Sequence, residues 1–394
     1  MKLLILFGNA LDHYSTALYI FFAPYLVSNF FDFKNEVIAL IVIYSLFSFC
    51  NIITRPAGAY FFGWLANIID SRQVLLITLG GVGFSTCIVA TIPSYESIGI
   101  VATILLTLAK ILQGFCAAGE VSISSVLIFN TVKEKEFIKA NSYYQCSTMI
   151  GIILASTVAT IFNNWRYAFA LGSLIGIIGL YFRLRIISLN NLYISDTKEM
   201  ISFTRFNKFF LLLQVSCLHG LSYITYAVPF VLLDNIIPLI SNISRVKMLT
   251  YSNILMYFDT AMIVVIGYII KIHNYKIWML LSVIILSVTM IPCFIYLPDL
   301  ALPVIFLIKC WIIFWGVIFS TLLNVLLVQQ VKDNKYLFIG TGYTIGCEFW
   351  GRSCVPICLA LWKYFDNNLI APAIYITVVC ICTFSFLLYR ITKI

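Results

Sequence analysis

The stretch FGNALDHYSTALYIFFAPYL, residues 7–26, is almost entirely apolar but carries an acid, Asp12, in its first half. The apolar run around it covers residues 3–31. That is long enough to cross the hydrocarbon core of a bilayer, which takes about 20 helical residues. Because a carboxyl group inside such a segment costs free energy, we expect Asp12 to have a function or a partner.

The composition of the whole chain agrees with a membrane location. Of its 394 residues, 62% are hydrophobic and 10% are charged, and the mean hydropathy is +1.00. Soluble domains have about 25% charged residues. Segments of alternating polarity, the pattern of outer-membrane barrels, are not seen in the sequence. The sequence therefore predicts an all-α polytopic membrane protein.

Breaks at charged or Pro- and Asn-rich positions divide the chain into twelve predicted spans. They lie near residues 3–31, 37–65, 74–92, 98–130, 139–162, 167–187, 208–233, 249–270, 277–297, 302–327, 337–362 and 370–390. We predict an N-terminal six-helix bundle over residues 1–187, a cytoplasmic linker over 188–207 and a C-terminal six-helix bundle over 208–394.

The Lys and Arg residues predict the orientation, since positive charge concentrates in cytoplasmic loops. With the N-terminus inside, sixteen of the 25 Lys and Arg residues fall in cytoplasmic segments, Arg183 among them. Five fall on the other side and four within spans. Both termini are therefore predicted to be cytoplasmic. The net charge of +9 reflects this topology and calls for no nucleic-acid partner.

Eight ionisable residues fall inside predicted spans. They are Asp12, Arg55, Lys110, Glu120, Asp259, Lys309, Glu348 and Arg352. If all eight faced lipid, the cost would be about 20–28 kcal/mol, so we expect them to face the protein interior and find partners. Four are acidic and four are basic, which permits full pairing.

In the first half, three of these residues are predicted to share one layer. Asp12, Arg55 and Glu120 each lie about 6–9 Å to the cytoplasmic side of the midplane at a helical rise of about 1.5 Å per residue. Lys110 lies on the same helix as Glu120, about 15 Å toward the outside. Two acids and one base leave one acid without a fixed partner, and a buried unpaired carboxyl prefers its neutral form.

In the second half, Asp259, Glu348 and Arg352 fall within about 4 Å of the midplane. Glu348 and Arg352 are four residues apart and share one helix face. Two interpretations stay open for both groups. The charges are either static ion pairs that fix helix packing, or they bind protons or solute.

Motifs in the first half resemble the metabolite:proton symporter branch of the major facilitator superfamily. The first helix has GNALDHYS from Gly8, the second has RPAGAYFFGWLANIIDSRQ from Arg55, and the fourth has KILQGFCAAGEVS from Lys110. Further similarity includes Gln145, Trp165 and Arg166. The resemblance is strong over residues 7–180 and is limited afterwards to Tyr343, Gly351 and Pro356.

This resemblance implies two helical bundles around a central cavity and import of a small organic solute with protons through the bacterial inner membrane. The solute would be a proline- or betaine-type zwitterion or an organic acid. Asp12 and Glu120 are then the candidate proton-coupling residues. Candidate solute-binding or charge-pairing residues are Arg55, Lys110, Tyr14, Gln113, Gln145, Asp259, Glu348 and Arg352. The expected partners are the solute, protons and the lipid bilayer, with the chain as a monomer.

The sequence also departs from the superfamily pattern. The loop after the second helix normally carries an Asp that closes a charge relay, but this chain has Asn67 there and Lys271 at the corresponding place in the second half. A transport-incompetent, sensor-like relative therefore stays open as an alternative, as does an efflux antiporter. Catalytic constellations, cofactor motifs and metal spacings are not seen, and the 12 Cys residues are interpreted as apolar packing residues.

Overall fold

The computed structural model describes residues 2–31, 36–162, 164–189, 205–241, 243–297, 301–331, 334–366 and 368–392. All regular secondary structure in these residues is helical, which confirms the predicted all-α class. The α-helices are α1 (Lys2–Phe21), α2 (Ala23–Phe30), α3 (Glu36–Leu65), α4 (Ser71–Thr91), α5 (Tyr95–Ile98), α6 (Ile100–Leu127), α7 (Phe137–Ile161), α8 (Trp165–Leu189), α9 (Arg205–Ala227), α10 (Leu233–Ile240), α11 (Arg245–Ile269), α12 (Tyr275–Tyr296), α13 (Leu302–Gln330), α14 (Lys335–Ile345), α15 (Ser353–Tyr364) and α16 (Ile370–Thr392).

Nine helical stretches among the described residues are long and apolar enough to cross a membrane by themselves. Other predicted spans contain breaks. The first is divided at Phe22, just before Pro24, since proline supplies no backbone N–H to continue the hydrogen-bond ladder. The seventh and eleventh contain π-helical turns at Val228–Leu232 and Gly346–Arg352.

The chain forms two compact units. The first comprises Met1–Thr131, Cys146–Ile201 and Asp333–Thr341, and the second comprises Val132–Gln145, Ser202–Lys332 and Gly342–Ile394. The first turns of α7 thus pack with the second unit, whereas the rest of that helix packs with the first. The bundle limits at 187 and 208 stay predictions, and residues 190–204 of the predicted linker lie outside the described residues.

Aromatic side chains fill much of the core of the first unit. Tyr19 and Trp165 each meet Phe169 edge-on, with ring centroids 5.1 and 6.2 Å apart, and Phe30 packs on Trp165 at 5.4 Å. These contacts join α1 and α2 to α8. Edge-on aromatic pairs are favourable beyond the area they bury, so this core holds the first helix, and Asp12 with it, in a defined position.

Glycines bring the helices of the second unit close together around its π-helical turns. A Cβ at Gly220 would meet Trp350, and a Cβ at Gly351 would meet the ring of Tyr223. Small residues allow such close approach where helices pack inside a membrane. The close approach places α9 directly against the segment that carries Glu348 and Arg352.

Candidate functional site

Glu120 is held in the first unit by a buried ion pair with Arg183. The Arg183 guanidinium donates from both terminal nitrogens to the two Glu120 carboxylate oxygens, at 3.0 Å for the Nη1–Oε2 bond. Thr78 of α4 donates a third hydrogen bond to Oε2 at 2.8 Å. Bidentate pairs of this kind are among the strongest hydrogen-bonded contacts in proteins.

Backbone groups complete this pair. Arg183 also donates to the carbonyl of Leu75 at 2.7 Å and to that of Leu4 at 3.2 Å. A Cβ on Gly8 would overlap the guanidinium, so glycine at this position makes room for it. Helices α1, α4, α6 and α8 therefore meet at one neutralised pair. Arg183, which the sequence analysis counted among the cytoplasmic charges, lies inside α8 and is 4% exposed, so it is a buried partner rather than a solvated one.

Asp12, in contrast, has no hydrogen-bond partner in the described part of the chain. Both carboxyl oxygens are buried without a donor, and the residue is 1% exposed. The charges that act on it are those of Arg55, Glu120 and Lys110. The structure therefore brings the predicted layer together, and it leaves Asp12 as the acid without a hydrogen bond.

Lys110 lies over an aromatic ring. Its ammonium nitrogen is 3.9 Å from the centroid of the Tyr19 ring and donates to Gln113 Oε1 at 2.8 Å. Both side chains are buried. The contact with the ring is a cation–π interaction, which gains strength where water is excluded. Gln113, which lies one helical turn after Lys110 on α6, thus orients the Lys110 side chain.

Two other candidate residues have mainly packing contacts. The Tyr14 hydroxyl donates to the carbonyl of Ala168 at 3.1 Å, which fixes α1 on α8. Gln145 of α7 donates to the carbonyl of Ser320 at 2.8 Å and accepts from Thr321 at 3.2 Å. These bonds tie the first turns of α7 to α13 within the second unit.

A closed polar triangle lies in the second unit. Lys309 donates to Asp234 and to Ser252, the latter at 2.7 Å, and Ser252 donates to the other Asp234 oxygen at 2.6 Å. All three residues are buried. The sequence analysis placed Asp234 one residue beyond the seventh span. This was wrong, because α10 continues that span across the π-helical turn and buries the acid beside Lys309.

We expect Ser252→Ala to lower the free energy of unfolding by about 1–3 kcal/mol, because Asp234 and Lys309 each lose a buried partner. Thermal unfolding in detergent measures the effect. Ser287→Ala is the control, since Ser287 is only partly buried and donates to the Ile284 carbonyl of its own helix. A loss no larger than that of the control would contradict the role of the triangle.

Glu348 and Arg352 form the ion pair that their spacing predicts. The Arg352 Nη1 and Glu348 Oε2 atoms are 3.2 Å apart, and the guanidinium also lies 5.9 Å from the centroid of the Tyr223 ring. Asp259 is buried in α11 and has no ion pair or hydrogen bond among the described residues. Among the described residues, each unit therefore holds a buried ion pair and a buried carboxyl group without a hydrogen bond.

Comparison with known proteins identifies the family. A sequence model described as "Major Facilitator Superfamily" matches residues 5–347. The chain belongs to the major facilitator superfamily. The twelve-helix fold of this superfamily agrees with the twelve spans that the sequence predicts, and it makes the protein a multi-pass membrane protein.

Curated relatives of this superfamily member are similar to it over part of their length. The glycine betaine/proline/ectoine/pipecolic acid transporter OusA of Dickeya dadantii is 32% identical over 187 residues, which are 45% of this chain and 37% of OusA. A proline/betaine transporter of Escherichia coli is 30% identical with the same coverage, and a putative one of Staphylococcus aureus is 27% identical over 52% of this chain and 47% of its own. The matched part is thus less than half the length of these relatives.

Solved structures of other superfamily proteins share the fold along nearly the whole chain. The human organic anion transporter MFSD10 gives a TM-score of 0.74 at 13% identity and covers 98% of both chains. The proton:xylose symporter XylE gives 0.71 at 15% identity, with 98% of this chain and 94% of its own covered. At such identities the likeness concerns the fold alone.

Proposed function

We propose that this superfamily member is a secondary transporter that imports a small organic solute together with protons by alternating access. It would lie in the bacterial inner membrane with both termini in the cytoplasm. The names of the curated relatives and the motifs of the first half support a proline- or betaine-type zwitterion or an organic acid as solute.

The observation that carries this proposal is the state of Asp12. Its two oxygens are buried without a hydrogen-bond donor, and Arg55 and Lys110 act on it only through their charge. A carboxyl group in such a place is stable when protonated and responds to any movement of the nearby cations. It therefore suits a group that takes up a proton in one state of the cycle and releases it in another.

Glu120 has a different role in this proposal. Arg183 neutralises it with two hydrogen bonds, and Thr78 supplies a third. Protonating Glu120 would leave the buried Arg183 charge without its counter-charge, which is costly. We therefore assign proton uptake to Asp12, and to Glu120 the task of holding α6 in place beside it.

The energy of proton entry suffices for accumulation. One charge that moves down a membrane potential of about 100 mV releases about 2.3 kcal/mol, which supports a gradient of about fifty-fold. Arg55 and Lys110 are the groups of the first unit that would meet a carboxylate of the solute.

Asp12→Asn should abolish proton-driven accumulation. The ratio of solute concentration inside the vesicles to that outside should fall by about fifty-fold, to the value at equilibrium without a driving force. The amide keeps the size of the carboxyl group but cannot exchange a proton, and thermal stability should not change. The measurement is uptake of labelled proline, glycine betaine and succinate into vesicles, with and without a protonophore. The control is Asp366→Asn, the same chemical change at an exposed position.

The outcomes separate the alternatives. Wild-type uptake that is insensitive to the protonophore would refute proton coupling, and full accumulation by Asp12→Asn would refute the role of Asp12. Binding without flux would favour the sensor-like relative that Asn67 and Lys271 suggest. Proton-driven export would favour an antiporter.

A further inference from the structure

The polar triangle of Asp234, Ser252 and Lys309 fixes the relative position of α11 and α13. Ser252 and Lys309 are hydrogen-bonded at 2.7 Å. One residue before Ser252, the ring of Tyr251 packs on Phe306 with centroids 5.6 Å apart. At this level the two helices are therefore in direct side-chain contact.

The two helices also run in the same direction. Further along α11, a Cβ on Gly267 would meet Ser142 of α7. Asn141, the residue next to Ser142, donates at 2.7 Å to the carbonyl of Thr321, further along α13. Since both helices advance from the triangle toward the same turn of α7, equal steps along them reach equal levels.

Seven residues beyond the triangle, two turns along each helix, lie Asp259 on α11 and Gly316 on α13. This step is about 10.5 Å and returns to the same helix face, so Asp259 points to the side that Ser252 faces. A Cβ on Gly316 would meet Thr225 of α9. Asp259 is thereby placed at the level of Thr225 and its neighbour Tyr226, near the middle of the second unit's helices.

An aromatic cluster occupies that level of α9. The Tyr223 and Tyr226 ring centroids are 6.1 Å apart, and Phe230 packs on Tyr226 at 4.9 Å. The charge of Asp259 acts on Tyr226, which agrees with the helix register. Tyr223 and Tyr226 are only partly buried, whereas Asp259 is 7% exposed.

The neighbouring cations are already paired with other acids. Lys309 is bonded to Asp234, and Arg352 is paired with Glu348. Among the described residues, Asp259 therefore lies at the level of Tyr226 without an ion-pair partner, and Arg352, which lies over the Tyr223 ring, has its charge balanced by Glu348. A buried carboxylate in that position attracts a cation from outside, and tyrosine faces add a cation–π contribution.

We propose that Asp259 and the ring face of Tyr226 form a binding site for the ammonium group of the solute. This inference rests on the proposed function, since it assigns one end of the transported solute to the second unit. It selects solutes with a positively charged nitrogen, such as amino acids and betaines, and disfavours dicarboxylates, which Asp259 repels. Substituted ammonium groups suit the site because the ring contacts methyl groups without needing N–H donors.

Equilibrium binding to the full-length wild-type chain in detergent tests the site. The probes are glycine betaine, choline and succinate, and the readouts are thermal stabilisation and calorimetry. Glycine betaine and choline should bind and succinate should not. Asp259→Asn should weaken betaine and choline binding by about tenfold to a hundredfold. Asp366→Asn, an exposed position with the same chemical change, should leave it unchanged.

Substitutions of Tyr226 provide a second test of the site, one that does not change the charge of the protein. Tyr226→Phe keeps the ring face and should keep choline affinity within about threefold, whereas Tyr226→Leu should lower it about tenfold. The melting temperature of each apo variant shows whether it is folded, and the Tyr226 variants still test the site if Asp259→Asn does not fold.

Three results would overturn the site: no binding of either cationic probe, tighter binding of succinate, or unchanged choline affinity in both Asp259→Asn and Tyr226→Leu. Because binding is measured without a gradient, these results are independent of proton coupling. Protonophore-insensitive uptake with intact choline binding would refute the proposed coupling and leave this site standing.

Discussion

Arg183→Gln is expected to lower the free energy of unfolding by about 3–5 kcal/mol, because it leaves the buried charge of Glu120 without its partner. Two further acceptors are affected, since the Leu75 and Leu4 carbonyls also lose the guanidinium. Of the hydrogen bonds to Glu120, the one from Thr78 remains. The measurement is the unfolding midpoint in detergent together with the yield of monodisperse protein.

Arg185→Gln is the matched control for this change. Arg185 lies two residues further along α8 and is exposed, with its guanidinium 5.3 Å from the centroid of the Tyr181 ring. Its loss should cost less than about 1 kcal/mol. The double variant Glu120→Gln/Arg183→Gln should recover part of the loss, since it buries no unpaired charge. Equal stability of Arg183→Gln and Arg185→Gln would show that the pair contributes nothing.

Gly58→Ala should be nearly as damaging, although it adds a single methyl group. A Cβ at Gly58 would overlap the backbone carbonyl of Phe115, where α3 crosses α6. A side chain could rotate away from the new methyl group, but a helical backbone cannot, so the two helices must move apart. We expect a loss at or above the upper end of the range for overpacking, about 3 kcal/mol.

Gly80→Ala makes the same chemical change where there is room. The nearest atom to a Cβ there is a methyl carbon of Leu180 at 4.0 Å, an ordinary contact. Since alanine is the better helix former, this variant should be stabilised by about 0.5–1 kcal/mol. The two melting temperatures should therefore move in opposite directions, and a shift of the same sign and size would contradict the close approach at Gly58.

Sequence reasoning succeeded where the signal lies within one segment. The spacing of Glu348 and Arg352 predicts their contact, because residues four apart meet on one helix. The depth of Asp12, Arg55 and Glu120 can be counted from the span ends, since the rise per residue is constant. The depth itself stays a prediction, whereas the charges of Arg55 and Glu120 do act on Asp12 within the first unit.

The same reasoning failed for partners on other helices. Hydropathy segmentation ended the seventh span just before Asp234, and the count of Lys and Arg residues grouped Arg183 with the cytoplasmic charges although it falls within the sixth span. Both are buried because their partners, Lys309 and Glu120, lie on different helices. A charge near the end of an apolar run has the same local sequence whether it is paired or solvated, so no local pattern distinguishes the two cases.

The sequence by itself determined that the chain spans a membrane, which superfamily it belongs to, and which charged residues must turn inward. These properties depend on the free-energy cost of placing polar groups in lipid, and that cost is set by the amino-acid composition of each segment by itself. Only the tertiary structure decided that Glu120 is neutralised, that Asp12 and Asp259 lack hydrogen-bond partners, and that Tyr226 lies at the level of Asp259. Those facts depend on the rotation and stagger of helices distant in sequence, which are set by packing at glycines and by buried ion pairs.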